Sequence, residues 1–195
     1  MDYSLIVVDT ETSGLLDIHD IIELSLIRLS DGEQKTWFVK PINPENIDPG
    51  ALRVNKHKLE DLLGQTKYGR DTYQDPNKVI IEVENFLSDD GVPTSNRVMV
   101  AQNVSFDMGM MQRLWEKCNS KDSFPFGRRV LDTMQIAFMM DYVEGNLSDS
   151  YSLSNLIKKY GIKNNKAHSA ESDTLATKEL FIEQVKDLKK KMNIK

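Results

Sequence analysis

The stretch Val7–Leu15, VVDTETSGL, constrains the fold more than any other. It continues a strand that begins at Leu5 and reads as buried, then carries Asp9 and Glu11 before breaking at Ser13-Gly14. Side chains alternate along a strand, so Leu5, Val7, Asp9 and Glu11 share one face and Ile6, Val8, Thr10 and Thr12 the other. The two acids stand about 7 Å apart on what should be a core face. Taken alone, D-x-E is most simply a strand end emerging into solvent.

Two further places repeat the anomaly. In Ala101–Met111, AQNVSFDMGMM, the spacing predicts a helix that puts Asp107 on one stripe with Met110, Met111 and Leu114. The plain alternative is an acid favoured by the dipole of the first helical turn. Asn103 and Ser105 read as N-cap candidates. In Lys166–Phe181, KAHSAESDTLATKELF, Asp173 aligns with Ala176, Leu180 and Gln184, beside a buried face that adds Phe181, Val185 and Leu188. Glu171 and Glu179 fall elsewhere on the wheel and read as solvated. His168 can meet Asp173 only from the loop before the helix, with Ser169 as the cap, because five residues on one helix are about 140° apart. His19 and His57 have nothing to distinguish them.

Asp9, Glu11, Asp107 and Asp173 thus each point toward or beside a core. Buried carboxylates are costly unless they become neutral or find a cation. No basic residue with matching periodicity stands ready. Shared divalent ions are the simplest solution, and oxygen-only ligands suit Mg²⁺ or Mn²⁺ rather than zinc.

The rest of the chain reads as an α/β domain with a mixed sheet. Asp20–Leu29 and Gln34–Lys40 are strands joined by a short turn at Ser30-Asp31-Gly32, an antiparallel hairpin. Pro41–Pro49 is a loop with three prolines, Leu52–Leu63 one or two short helical turns, and Gly64–Asp75 a polar surface loop. Lys78–Leu87 is helical, with Val79, Val83 and Phe86 on one face. Arg97–Ala101 is a strand. Helices follow at Ser105–Lys117, Asp132–Tyr142, Leu153–Tyr160 (stopped by Gly161) and Ser169–Met192, with a loop at Asn119–Arg129.

With 195 residues and 39% hydrophobic content, the expectation is one domain over 1–195 with a real core. No apolar run approaches the roughly 18 residues of a membrane span, and MDYSLIVVDT lacks the features of a signal peptide. The single cysteine, Cys118, fits a reducing compartment. A cytoplasmic location, or wherever nucleic acid is handled, is expected. The net charge of −5 argues against bulk electrostatic wrapping of nucleic acid, so cations or a local basic patch must overcome the repulsion.

Together the three acid segments resemble the exonuclease motifs of the DnaQ-like, or DEDD, 3′–5′ exonucleases, histidine subtype. DTETSGL (Asp9–Leu15) is similar to D-x-E-T-x-G-L, QNVSFD (Gln102–Asp107) to H-N-x-x-F-D, and HSAESD (His168–Asp173) to H-x-A-x-x-D. LDTMQIA (Leu131–Ala137) and YSLSNLIKKYGI (Tyr151–Ile162) resemble the D-T and S-L-x-x-L helices of that family. The likeness spans about residues 4–182. Gln102 departs from the usual His, at a position outside the metal-binding set.

The resemblance implies an RNase H-like fold, a mixed five-stranded sheet flanked by helices. It implies two divalent ions, Mg²⁺ or Mn²⁺: Asp9, Glu11 and Asp173 would hold the first, Asp9 would bridge to the second, and Asp107 would hold that one partly through water. His168 would be the general base. Imidazole ordinarily titrates at about 6.5, which suits the task near neutral pH. The substrate-binding set would be Thr12, Gly14, Leu15, Asn103 and Phe106. Gly14 would let backbone approach the terminal nucleotide. Leu15 reads either as a wedge beside the last base or as a core leucine, and Phe106 either as pocket wall or as core. Arg128-Arg129, Lys158-Lys159, Lys163 and Lys166 are candidate phosphate contacts, each more simply solvated surface. The implied activity is hydrolysis of DNA or RNA from a 3′ end to nucleoside 5′-monophosphates. A catalytically idle scaffolding subunit of a polymerase or repair complex, and a two-metal phosphatase, are the competing classes. The presence of all four acids and the histidine speaks against the first, and the order of motifs against the second. The sequence leaves DNA against RNA open, and a polymerase-associated proofreader against a free-standing enzyme. No membrane partner is expected.

Overall fold

A computed structural model describes residues 3–120, 124–164 and 168–194. Strand β1 (Ser4–Thr12) lies at the middle of a five-stranded sheet of order β3-β2-β1-β4-β5. It runs antiparallel to β2 (Ile21–Arg28), which continues antiparallel into β3 (Gln34–Phe38). On its other side it runs parallel to β4 (Arg97–Ala101), which in turn pairs parallel with β5 (Val130–Asp132). The apolar alternation of β1 is satisfied on both faces. Ile6 and Val8 pack with Trp37, Met99 and the buried sides of α4 (Pro76–Ser88) and α5 (Val104–Lys117), including Val83, Met110, Met111 and Trp115. Val7, with the partly buried Leu5, packs with Ile27, Val100 and Phe181 of α8 (Ala170–Lys191). Helix α6 (Thr133–Glu144) and helix α7 (Leu153–Tyr160) complete that layer through Ala137, Leu156 and Leu180.

These layers fix where the acids go. Asp9 and Glu11 share the face of Val7 and so meet α8; Thr10 shares the face of Val8 and so meets α5. The β1–β2 register shifts between Glu11 and Thr12. Such a bulge locally re-aims side chains where a strand leaves its sheet.

Several elements differ from the sequence expectation. Residues 64–75 are not a plain loop: Lys67–Thr72 forms helix α3, with the Thr66 hydroxyl accepting from Gly69 N at 2.8 Å. Tyr73 is buried, and Gln74 bridges to Val39. Helix α1 (Pro49–Asn55) starts three residues before Leu52, because Pro49 suits a first helical position and Asp48 caps Gly50 N; α2 (Leu59–Leu62) follows. Strand β5 is the fifth strand that hydrophobic patterning passed over, being three residues long and running directly into α6. The caps also differ. Asn103 has φ 62 and makes no cap bond; the Asp132 carboxylate accepts Asn103 N and Val104 N, each at 3.1 Å, and caps its own helix through Met134 N at 2.9 Å. Ser169 makes no cap bond to α8. Among the described residues, no helix is long and apolar enough to cross a membrane.

Candidate active site

At the carboxyl end of β1, ligand oxygens of Asp9, Glu11 and Asp173 lie within 4.8 Å of one another. Two come from the strand and one from the first turn of α8, which rests on that face of β1. Asp107 reaches the same end from the opposite face. It is not within that threesome: its Oδ1 accepts the Thr10 hydroxyl at 2.8 Å, at a site 3% exposed. The Asp173 carboxylate accepts Asn164 Nδ2 at 2.5 Å and the His168 backbone N–H at 3.0 Å. That second bond shapes the loop ahead of α8, and His168 takes a left-handed φ of 68° there. His168 stands before the helix, as the spacing requires, and lines a cavity of about 320 Å³ with Asp9, Asp173, Asn164, Gln102 and Leu153.

Electrostatics at this edge are one-sided. Burial, then the charges of Asp107, Asp173, Glu11 and Glu23, raise Asp9 well above the usual carboxylate range. Burial, then Asp173, pushes Glu11 up to about 8. Burial raises Asp107 to about 7 against the opposing pull of its Thr10 hydrogen bond, and burial also raises Asp173. Among the described residues, no Lys, Arg or His forms an ion pair with any of the four acids. A set of desolvated oxygens with no ion-paired partner among the described residues suits a divalent metal, which would lower each of these pKa values by adding positive charge.

The loop after β1 is built around His19, which sequence inspection left undistinguished. Its Nδ1 accepts Leu16 N at 2.8 Å, and a Cβ at Gly14 would lie 2.4 Å from the ring. Gly14 is therefore required by packing, whatever it does toward a ligand. Ser13 and Asp20 close the loop through Ser13 N to Asp20 O at 2.8 Å and Asp20 N to Ser13 Oγ at 2.9 Å, and Lys117 Nζ pins it at Asp20 Oδ1, 2.6 Å. Leu15 is left 77% exposed, so the core reading of Leu15 is incorrect. Thr12 is buried and donates its hydroxyl to Gly14 O at 2.8 Å, so that proton serves the loop. Phe106 is partly buried against the core that includes Met110 and Met111, while Asn103 is exposed and accepts from Ser105 Oγ at 3.3 Å.

Gln102 is structural at both ends of its amide: Nε2 donates to Tyr151 O at 2.7 Å and Oε1 accepts from Thr133 Oγ1 at 2.6 Å. It thereby sets the cavity wall. The candidate phosphate contacts Arg128, Arg129, Lys158, Lys159 and Lys163 are all exposed; Lys159 is also paired with Asp141, and Arg129 lies over the Tyr3 ring. Lys166 lies outside the described residues. Sequence inspection also missed Asp132, which positions α5 and with it Asp107; a cap supplied by a residue so distant in sequence leaves no local signal.

Residues 6–181 match the profile of the RNase T exonuclease family. The PolC-type DNA polymerase III of Staphylococcus epidermidis is 28% identical over 190 residues, and so is that of Staphylococcus aureus. In each case the match covers 96% of this chain but only 12% of the polymerase. Among solved structures, Escherichia coli exonuclease I with a dT13 oligonucleotide superposes at a TM-score of 0.73, 18% identity, over 94% of this chain and 41% of that one. The zinc-bound exonuclease I–single-stranded DNA complex gives 0.74, 19% identity, over 98% and 41%. At such identity the superpositions establish the fold: the mixed five-stranded, RNase H-like sheet.

Proposed function

The chain belongs to the exonuclease family, and on that premise we propose that it hydrolyses phosphodiester bonds stepwise from a 3′ end, releasing nucleoside 5′-monophosphates. DNA is the substrate put first, because the curated relatives are DNA polymerases; for the same reason a polymerase is the partner put first. The observation that carries the reading is the convergence of Asp9, Glu11 and Asp173 oxygens within 4.8 Å, with Asp107 entering from the other face of the sheet.

Asp9, Glu11 and Asp173 would hold one divalent ion, and Asp9 with Asp107 a second, Mg²⁺ or Mn²⁺ by the hardness of the donors. When bound, the ions supply charge neutralisation of the scissile phosphate and of the attacking and leaving oxygens. The protein does the rest. His168, mounted on the loop that Asp173 fixes, takes the proton from the attacking water. Leu15, exposed on the loop after β1, stacks against the terminal base, and Asn103 and Phe106 form the facing wall. The cavity under His168 and Gln102 holds the reacting end away from bulk solvent.

Incubating a 3′-labelled single-stranded oligonucleotide with Mg²⁺, and separately with EDTA, tests this. Mononucleotide release that EDTA abolishes is expected. Asp9→Ala and Asp173→Asn should stop cleavage while leaving a folded protein, and His168→Ala should lower kcat far more than it raises KM. Intact oligonucleotide with the wild-type protein in Mg²⁺ and in Mn²⁺, or full activity of Asp9→Ala, would overturn the proposal.

A further inference from the structure

We infer that Glu23, on β2, is a positioning residue for the acid site: it caps α8 from the strand next to β1 and so sets where His168 and Asp173 stand against Asp9 and Glu11. The inference rests on the proposed function for its kinetic consequences, but not for its structural ones.

Glu23 pairs with Glu11 in the β1–β2 register, so its side chain leaves the sheet on the α8 side. It is 3% exposed. The first N–H groups of a helix have no intrahelical acceptors and need an outside one. Ser169, at the cap position of α8, does not accept from its own helix. Its hydroxyl instead donates to Glu23 Oε1 at 3.4 Å, and Glu171 N donates to the same oxygen at 3.3 Å. A carboxylate there also opposes the positive end of the helix dipole. The other oxygen is engaged as well. His57 Nε2 lies 3.1 Å from Glu23 Oε2, and His57 Nδ1 lies 2.5 Å from the Tyr73 hydroxyl. His57 sits between α1 and α2, and Tyr73 just after α3. One buried carboxylate therefore joins three places: the strand opposite Glu11, the α1–α3 segment, and the first turn of the helix that bears Asp173. Glu23 stands outside the cluster of Asp9, Glu11 and Asp173 oxygens, and both of its own oxygens face these neighbours, so its effect on the site runs through them. His57, indistinct in the sequence, gains a task from this arrangement, and so does the 64–75 segment that supplies Tyr73.

Groups that orient metal ligands typically change metal affinity or activity 10- to 100-fold when removed. The test compares wild type, Glu23→Ala, Glu23→Gln and a core control, Ile80→Val, by two readouts. One is the Mn²⁺ concentration that half-saturates the protein in a binding titration that follows free Mn²⁺ by electron paramagnetic resonance; the other is kcat and KM on a 3′-labelled oligonucleotide. For Glu23→Ala, the Mn²⁺ midpoint should rise about 10- to 100-fold and kcat fall in the same range, with KM within about twofold of wild type. Glu23→Gln keeps an acceptor for Glu171 N and a polar partner for His57, and should stay within about fivefold of wild type in both. Ile80→Val should lower Tm without moving the Mn²⁺ midpoint. An unmoved midpoint in folded Glu23→Ala, or damage in Glu23→Gln equal to that in Glu23→Ala, overturns the inference; the second result would mark Glu23 as a ligand. Should Glu23→Ala not fold, Glu23→Asp, one methylene short of α8, is expected to show the same loss in weaker form, and a wild-type midpoint there also overturns it. If the wild-type protein cleaves nothing, the proposed function fails while the Mn²⁺ midpoint still decides the role of Glu23.

Discussion

Glu11 is unfavourable for the metal-free fold, and in the proposed reaction it is one of the ligands that would hold an ion. Its carboxyl is raised to about 8, first by burial and then by Asp173. A carboxyl raised in the folded state binds its proton more tightly there than in the unfolded chain. Stability is then lost as pH rises from the unfolded value near 4.3 through 8. Glu11→Gln should match the wild-type Tm at pH 5 without metal and exceed it at pH 9, while losing the response to Mn²⁺. Because Glu11 is only partly buried, the gain should be about 1–2 kcal/mol after solvent screening, a shift of roughly 2–8 °C read by thermal denaturation. Leu15 makes the opposite case. An apolar side chain 77% exposed contributes little to stability, so Leu15→Ala should leave Tm within about 1 °C. If Leu15 covers the terminal base, KM should rise about tenfold or more. At this scale the three motifs made the acids and His168 legible. The roles of His19, His57 and Gln102 were not, because each depends on a partner that only the fold brings near: Gly14, Glu23 and Thr133.

Strands and long helices were legible wherever one face carried a continuous apolar pattern, as in β2, α4 and α8. The elements that escaped have local reasons. Helix α3, KYGRDT, has no apolar stripe; it is held by the Thr66 cap and by a contact so close that a Cβ on Gly69 would lie 2.1 Å from the Asp61 carbonyl oxygen. Strand β5 is too short for alternation to show. Its last residue, Asp132, ends the strand, starts α6 and caps α5 in trans. Removing that carboxylate strands three backbone N–H groups at a position 5% exposed. Asp132→Ala should cost about 2–4 kcal/mol by denaturant unfolding. It should also slow cleavage, since the first turn of α5 presents Asp107. Asp132→Asn, which keeps one acceptor oxygen, should cost less. Equal stability of Asp132→Ala and wild type would show that α5 needs no outside cap.

Across the molecule, the site sits where open α/β sheets expose ligands, outside the carboxyl ends of parallel strands, here β1 and β4, with antiparallel β2 on the other side of β1. The architecture brings acids from both faces of the sheet to one edge of a chain whose net charge is −5, and among the described residues none of the four acids forms an ion pair. Asp9, Glu11, Asp107 and Asp173 are all raised, so the metal-free protein should lose stability as pH climbs from about 4 through about 8. A divalent cation that binds only the folded state should restore about 2.7 kcal/mol at one hundred times its Kd, and more of that rise should appear at pH 8 than at pH 5. A pH-independent Tm for the metal-free protein would break this link. The most direct measurement is anomalous diffraction from crystals soaked in Mn²⁺. A peak is expected among the carboxylates of Asp9, Glu11 and Asp173, with oxygen distances of about 2.0–2.2 Å, and a second peak between Asp9 and Asp107 once a nucleotide is bound. Ordered Asp9, Glu11 and Asp173 carboxylates with no peak between them at saturating Mn²⁺ would contradict that expectation.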